Sequence, residues 1–531
     1  MATLTSRLLD WVERVGNRLP DPVTIFFSGA LLVLVASHVA TLVGWEAELR
    51  SVKNVVGPDG AATQLVETTT IKAKTLLVGE GLRWVWLNAV RNFTDFHPLG
   101  VVLVCMLGIG VAERAGLITA LLKLIVVLTP RRLLTPVVVF AGITSNVAGD
   151  AGYVVLPLLA AAIFAKVGRS PLVGLAAVFA GVAAGFSANL LPSALDPMLA
   201  KITQEGASLL DKDYQVSVLC NYWFMCVSTL VLTLAGWGVV RWLVEPRFDA
   251  AEVQRQIDSL AAGGISVASD AVTAQERRGL LAASIVLLFV GSGVLALILV
   301  PGWPLHGTIV KGGGPLPVWS EAIVPIMFVL FLLPGIAFGL AAGSIGSDRD
   351  VARMMARTMS DMGMYVVLAF AAAQFVAWFR ESNLGTLVAL AGVNFLGQLD
   401  IPAPLLVVAL VIAVCVLNMF LGSASAKWAL LAPVLVPVFM GLGISPELTQ
   451  AAYRVGDSST NPIAPLNAYL VVVLVAMQRC QPQAGLGSLI SLMLPFSLVF
   501  SVVWIVLLLG FVLLEIPLGP GAPLFITPPT G

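Results

Sequence analysis

The chain has 531 residues, of which 58% are hydrophobic and only 11% charged, and its formal net charge is zero. An ordinary soluble domain carries about 25% charged residues, so water is not the main solvent of this one. A balanced charge supplies no field for a polyanion, and no nucleic-acid partner is expected.

In chain order, residues 1–21 form a charged lead (Arg7, Asp10, Glu13, Arg14, Arg18) expected in the cytoplasm. The apolar run 22–45 follows without a small-residue cleavage site and reads as a retained helix rather than a signal peptide. Further runs lie at 98–128, 133–166, 172–200, 217–243, 279–301, 318–344, 362–379, 384–398, 402–421, 427–443, 447–477 and 487–515. A helix needs roughly 17–25 apolar residues to cross a bilayer, and these runs lack the alternation of a membrane β-strand. The fold class is therefore an all-α polytopic membrane protein. Its first membrane half is 22–243, its second 279–515, and the polar stretch 244–278 links them.

Lysine and arginine near helix ends stay in the cytoplasm. Arg241, Arg247, Arg277 and Arg278 flank the linker and place it inside, as Arg349, Arg353 and Arg357 place their own loop. The 201–216 loop carries Glu205, Asp211 and Asp213, and the tail 516–531 has no Lys or Arg; both are expected in the periplasm. A chain that starts inside and ends outside crosses an odd number of times, so some apolar runs must be re-entrant.

Two stretches break the uniform apolarity. The first half carries Thr144 to Gly152, including Asn146 and Asp150, then Ser170-Pro171, Gly185-Phe186-Ser187-Ala188-Asn189 and Asp196-Pro197. The second half carries Gly422 to Trp428, then Ser445-Pro446, Gly456 to Pro462, and Pro465. The order is the same in both. Unpaired backbone amides are costly in hydrocarbon, so such residues at membrane depth point to broken helices around a cavity. Matched breaks in two halves are the best sequence pointer to a transporter's binding site. Each half is expected to supply a re-entrant hairpin (about 143–166 and 422–443) and an unwound helix (about 172–200 and 447–477).

Asp150, Asp196, Lys427, Arg454 and Asp457 lie within or beside these clusters, and an ionisable group inside a span faces a pathway or a partner. Arg454 and Asp457 are three apart on one expected helix, so an intrahelical ion pair competes with a functional role for both. Asp457 is followed by Ser458, Ser459, Thr460 and Asn461, whose oxygens suit a hard cation, and a proton is the alternative. Asn146 and Asn189 are the polar candidates for ion coupling in the first half. Glu113-Arg114 reads as a local pair near a helix end, and Asp361 as an interfacial helix cap. The five cysteines lack CxxC spacing and read as small buried hydrophobes, and the three histidines are scattered, so no metal cluster or cofactor is expected.

Several phrases resemble the AbgT family, the p-aminobenzoyl-glutamate transporters. They are Val15-Gly16-Asn17-Arg18-Leu19-Pro20-Asp21-Pro22, Gly110-Val111-Ala112-Glu113-Arg114-Ala115-Gly116, Asp150-Ala151-Gly152-Tyr153-Val154-Val155-Leu156-Pro157, Ala424-Ser425-Ala426-Lys427-Trp428-Ala429 and Tyr453-Arg454-Val455-Gly456-Asp457-Ser458-Ser459-Thr460-Asn461. The resemblance implies about nine transmembrane helices plus two re-entrant hairpins in inverted repeats, a homodimer, and residence in the bacterial inner membrane. It implies import of p-aminobenzoyl-glutamate or export of sulfonamide antimetabolites, coupled to H+ or Na+. Family functional positions match at Asp196, Ser425, Trp428, Pro446, Arg454, Asp457 and Pro465, and Asn418 matches a position near a sodium site, so Asn418 and Asp457 are the sodium candidates. The chain has Asn467-Ala468-Tyr469 where Asn-Pro-Tyr is expected, and a proline at Asn461-Pro462.

For a small aromatic carboxylate, Trp428 would stack on the ring while Arg454 or Lys427 meets the carboxylate; an interfacial anchor is the other reading of Trp428. A sodium-dependent dicarboxylate carrier follows the same logic of paired Ser and Asn clusters. An intramembrane aspartyl protease would need Asp150 and Asp457 close enough to share a proton. No GxxxxGK[ST] loop is present, which argues against ATP-driven transport.

Overall fold

The computed structural model describes residues 20, 22–56, 62–127, 129–148, 151–262, 272–311, 314–465, 467 and 469–528. Asp150, the N-terminal lead except Pro20, residues 263–271 of the linker and the last three residues of the tail lie outside them.

Helix α1 is Pro22–Val43. At about 1.5 Å per residue its 22 residues cover a hydrocarbon core of about 30 Å. A hairpin of β1 (Glu46–Val56) and β2 (Ala62–Lys72) follows, antiparallel, with Glu46 opposite Lys72. The hydropathy reading had passed over this hairpin and over the amphipathic helix α2, Gly79–Thr94, because neither has an apolar run. The run expected at 98–128 is two helices, α3 (His97–Ala115) and α4 (Leu117–Val127). Gly116 separates them at φ 96°, in the left-handed region where glycine carries no steric penalty.

The first interrupted set is α5 (Leu134–Ser145), α6 (Ala151–Lys166), α7 (Pro171–Ala183) and α8 (Leu195–Ala207). Helix α9 (Tyr222–Val239) follows, then α10 (Ala250–Ala262) inside the expected linker, and α11 (Ala274–Leu299). A small pair of strands, β3 (Thr308–Lys311) and β4 (Gly314–Pro317), precedes α12 (Ile323–Ala342). Then come α13 (Asp348–Asp361), α14 (Gly363–Glu381) and α15 (Leu384–Gly397). The second interrupted set is α16 (Ala403–Asn418), α17 (Ala424–Gly441), α18 (Pro446–Ser459) and α19 (Tyr469–Cys480), closed by α20 (Leu486–Leu513).

Eight helices among the described residues are long and apolar enough to cross a membrane, and shorter apolar helices accompany them. The protein is an all-α polytopic membrane bundle. Both unwound helices appear: α7 stops at Ala183 and α8 begins at Leu195, while α18 stops at Ser459 and α19 begins at Tyr469. The packing repeats in the same order, since α5 lies on α7 as α16 lies on α18, and α6 touches α7 and α19 as α17 touches α18 and α8. Around this core, α1 and α2 pack on α14, and α3 packs on α12 and α13, with α11 outside α12. Leu288 and Phe289 of α11 are strongly exposed, as befits a lipid-facing side.

The repeat extends to single atoms. Asn146, at the end of α5, donates from Nδ2 to the Val182 carbonyl of α7 at 3.1 Å, and Asn418, at the end of α16, donates to the Asp457 carbonyl of α18 at 2.7 Å. A Cβ on Gly181 would lie 2.3 Å from the Val139 carbonyl oxygen, and one on Gly456 would lie 2.5 Å from that of Val411. Glycine therefore sets the same close helix approach in both halves.

Candidate functional site

Helix α18 begins with the same two residues as α7. Ser445 Oγ accepts from Leu448 N at 3.0 Å, Ser170 Oγ accepts from Val173 N at 3.4 Å, and each serine is followed by a proline at the first helical position. Counting from those caps, one stripe of α7 is Leu172, Leu175, Phe179 and Val182, all buried. The equivalent stripe of α18 is Glu447, Gln450, Arg454 and Asp457, also buried. Spacings of three and four residues put each set on one helix face. The fold thus accepts four apolar residues here, and the polar set in α18 is carried at a desolvation cost that packing does not require.

Two of the three charged residues on this stripe, Arg454 and Asp457, are met by opposite charges from other helices. Arg454 Nη2 donates to Asp196 Oδ1 at 2.6 Å, and Ser193 N and Oγ hold Asp196 Oδ2 at 2.6 and 3.0 Å. Lys427 Nζ lies 2.5 Å from Asp457 Oδ1 and also donates to Asn418 Oδ1. Asn418 Nδ2 faces Asp457 O, Thr460 Oγ1 and Asn461 Oδ1 within 3.0 Å. The alternative reading, an intrahelical pair of Arg454 with Asp457, is not what forms: buried partners on α8 and α17 take the two charges apart. Arg114, expected in a local pair with Glu113, reaches Asp361 and Thr358. Asp361 sits at the end of α13 and caps no helix start.

Trp428 is fully buried, which rules out an interfacial anchor. Its indole N–H donates to Thr203 Oγ1 at 2.8 Å and one ring face stacks on Tyr453, centroids 4.4 Å apart. Tyr453 therefore already occupies one face of the indole. Lys427, one of the residues expected beside a substrate carboxylate, is engaged by Asp457 and Asn418. Ser425 is half-buried at the start of α17, Pro446 opens α18, and Pro465 lies in the break before α19. Ser458 Oγ, Asn146 Oδ1, Asn189 Nδ2 and Arg454 Nε are buried without a hydrogen-bond partner. Asn461 Nδ2 spans to the Ala183 carbonyl at 3.4 Å, so the two breaks meet. On α8, Glu205 opens to a hollow of about 400 Å³ lined also by Trp84, Arg91 and Arg380.

Sequence reading missed Glu447, Gln450, Thr203 and Tyr214, which join this cluster. Thr203 Oγ1 lies 2.7 Å from Gln450 Oε1, and Tyr214 donates to Glu447 Oε2 at 2.9 Å. The signal was present in the spacing of Glu447, Gln450, Arg454 and Asp457 against the apolar stripe of α7.

The model of the AbgT putative transporter family matches residues 7–526. The chain belongs to that family. It is 35% identical over 526 residues to the p-aminobenzoyl-glutamate transport protein of Escherichia coli (strain K12), covering 97% of each chain. The Alcanivorax borkumensis YdaH transporter, whose crystal structure shows an unusual topology, is 38% identical, with a TM-score of 0.84 over 94% of this chain and 100% of that one. Neisseria gonorrhoeae MtrF, from a class of antimetabolite efflux pumps, is 40% identical, with a TM-score of 0.86 over 97% of this chain and 100% of that one. As an AbgT protein the chain is a multi-pass transporter of the bacterial inner membrane and not an enzyme.

Proposed function

We propose that this AbgT protein is a cation-coupled secondary transporter of p-aminobenzoyl-glutamate and related aromatic carboxylates, with export of sulfonamide antimetabolites as the related activity. The observation that carries the reading is the buried stripe of α18, where two ion pairs tie a broken helix to α8 and α17. A transporter must exchange such contacts for substrate and ion, and the apolar stripe of α7 indicates that the fold itself does not demand them. The names of the E. coli and N. gonorrhoeae relatives support the aromatic folate-pathway class.

In this reading Asp196, Ser425, Trp428, Pro446, Arg454 and Pro465 surround substrate. Asn418, Asp457, Ser458, Thr460 and Asn461 serve the coupling ion, H+ or Na+, with Asn146 and Asn189 lining the opposite break. The working unit is a homodimer, with the 201–216 segment, which is the end of α8 and the loop after it, towards the periplasm and the 244–278 linker in the cytoplasm. Counterflow of labelled p-aminobenzoyl-glutamate in proteoliposomes tests the substrate class. Aromatic compounds should compete for counterflow, whereas equal competition by an aliphatic dicarboxylate would favour a dicarboxylate carrier. Labelling of single cysteines introduced at 212 and 252 tests the orientation, and modification of both from the same side would defeat it.

A further inference from the structure

The charges buried around α18 do not balance. Asp196, Lys427, Glu447, Arg454 and Asp457 are each 3% exposed or less. Arg454 offsets Asp196 and Lys427 offsets Asp457, which leaves Glu447. Its Oε2 accepts from the Tyr214 hydroxyl at 2.9 Å, its Oε1 makes no well-formed hydrogen bond, the Ser445 hydroxyl and its own backbone N–H are the other polar groups beside the carboxyl, and among the described residues no cation pairs with it.

The surroundings supply no hidden counter-charge among the described residues. Helices α16 and α20 and the break at 461–463 carry no charged residue, and α16 offers Cys415 as its titratable group. Helix α17 offers Lys427, which Asp457 holds. Helix α8 offers Asp196, held by Arg454, Glu205, which faces Arg380 at 3.8 Å, and Lys201, which lines an outer hollow with Val216 and Val218. From the segment after α8, Tyr214 touches Glu447, Cys220 lies beside Gln450, and Asp211 is near Tyr214. On α18 itself, Arg454 and Asp457 are already paired.

A buried carboxylate without a counter-charge is costly, and a proton removes that cost. The opposing influence is the start of α18, where the helix dipole and first-turn amides support an anion. Both forms are therefore accessible, as a proton carrier requires. The equivalent position of α7 is Leu172, so packing does not call for an acid here.

We propose that Glu447 is a proton-binding site of the transport cycle, a neutral carboxylic acid in the state seen here, exchanging its proton with water through Tyr214. Tyr214 is itself buried, and the residues just before it, Lys212 and Asp213, are exposed to solvent, so water reaches within one or two residues of it. A hydronium ion gives a proton to the Tyr214 oxygen as the hydroxyl hydrogen passes to Glu447 Oε2: one O–H bond of hydronium and one of Tyr214 break, one forms on Tyr214 and one on Glu447, and the products are water, neutral tyrosine and the carboxylic acid. This inference rests on the transport reading above and names the proton as a coupling ion.

The test combines infrared difference spectra of the purified protein with proteoliposome transport of p-aminobenzoyl-glutamate. The wild type should show a pH-dependent carboxylic acid band that is lost in Glu447→Gln. Under a pH gradient of about one unit, one coupled proton supports up to about a tenfold substrate ratio. The wild type should approach that ratio, Glu447→Gln should build none, and Glu447→Asp should recover part of it. A band that persists in Glu447→Gln overturns the proposal, as does wild-type-like accumulation by that variant or accumulation in the wild type driven by sodium without regard to pH. Where Glu447→Gln does not fold, Tyr214→Phe serves instead: the band must shift in frequency, and an unshifted band counts against the assignment. A wild type that moves none of the compounds defeats the transport reading, and the infrared band then decides Glu447 separately.

Discussion

Lys427 Nζ sits 2.5 Å from Asp457 Oδ1, with both side chains buried and Asn418 Oδ1 accepting from the same ammonium. The protein thus keeps a cation of its own on the oxygens expected to receive a free one. A sodium ion there would meet like charge, and two unit charges 4 Å apart repel by about 4 kcal/mol in a partly screened interior. Sodium and the Lys427 ammonium therefore exclude each other.

Removing that ammonium should make the oxygens available. Lys427→Met is expected to bind sodium at least about tenfold more tightly than the wild type, well within the repulsion just given. Titration calorimetry of the purified protein measures it. Equal sodium affinity in the two proteins would show that the lysine does not compete.

The partners of the two α18 charges can be checked by double-mutant cycles on thermal or denaturant unfolding in detergent. Asp196→Asn, Arg454→Gln, Lys427→Met and Asp457→Asn each leave one buried charge unmatched, a loss of about 3–5 kcal/mol where the interior is dry. The cycles for Arg454 with Asp196 and for Lys427 with Asp457 should show coupling of about 0.5–3 kcal/mol. A larger coupling between Arg454 and Asp457 would restore the intrahelical pair.

With the indole fully buried against Tyr453 and bonded to Thr203, Trp428→Ala should cost about 3–5 kcal/mol of stability, which would mask any effect on substrate. Trp428→Phe keeps a ring for stacking and gives up one hydrogen bond, a loss of about 1 kcal/mol. Counterflow by Trp428→Phe should keep its preference for aromatic over aliphatic competitors. Loss of that preference in a well-folded variant would mean that the indole N–H, not the ring face, sets it.

Gly456 has the tightest demand on shape in α18, because a Cβ there meets both the Val411 carbonyl and the Val414 side chain. Gly456→Ala is expected to destabilise by about 1–3 kcal/mol through overpacking and to push α16 away from α18, disturbing the Asn418 contacts. An unfolding midpoint equal to that of the wild type would refute the close approach.

The breaks and the repeat were legible in the sequence because Ser-Pro, Gly-Asp and Asn clusters cannot sit in a lipid-facing helix without a compensating environment. Asp196, Lys427, Arg454 and Asp457 stood out for the same reason. Their pairing did not, since three-residue spacing permits an Arg454–Asp457 contact and only the packing of α8 and α17 on α18 supplies better partners. Glu447 was hidden by its place next to Pro446 at a helix start, where an acidic residue is ordinary. The β1–β2 hairpin and α2 escaped because apolar runs were the signal followed, and Gly116 because hydropathy does not register a left-handed glycine.

The most direct measurement of the central claim is substrate accumulation in proteoliposomes carrying wild type or Asp457→Asn, with pH and sodium gradients imposed separately. The account predicts that at least one gradient drives accumulation by the wild type and that neither does so for a folded Asp457→Asn, whose amide carries neither a negative charge nor a titratable proton. Accumulation by Asp457→Asn equal to that of the wild type would contradict it, leaving Asp457 only a structural partner of Lys427.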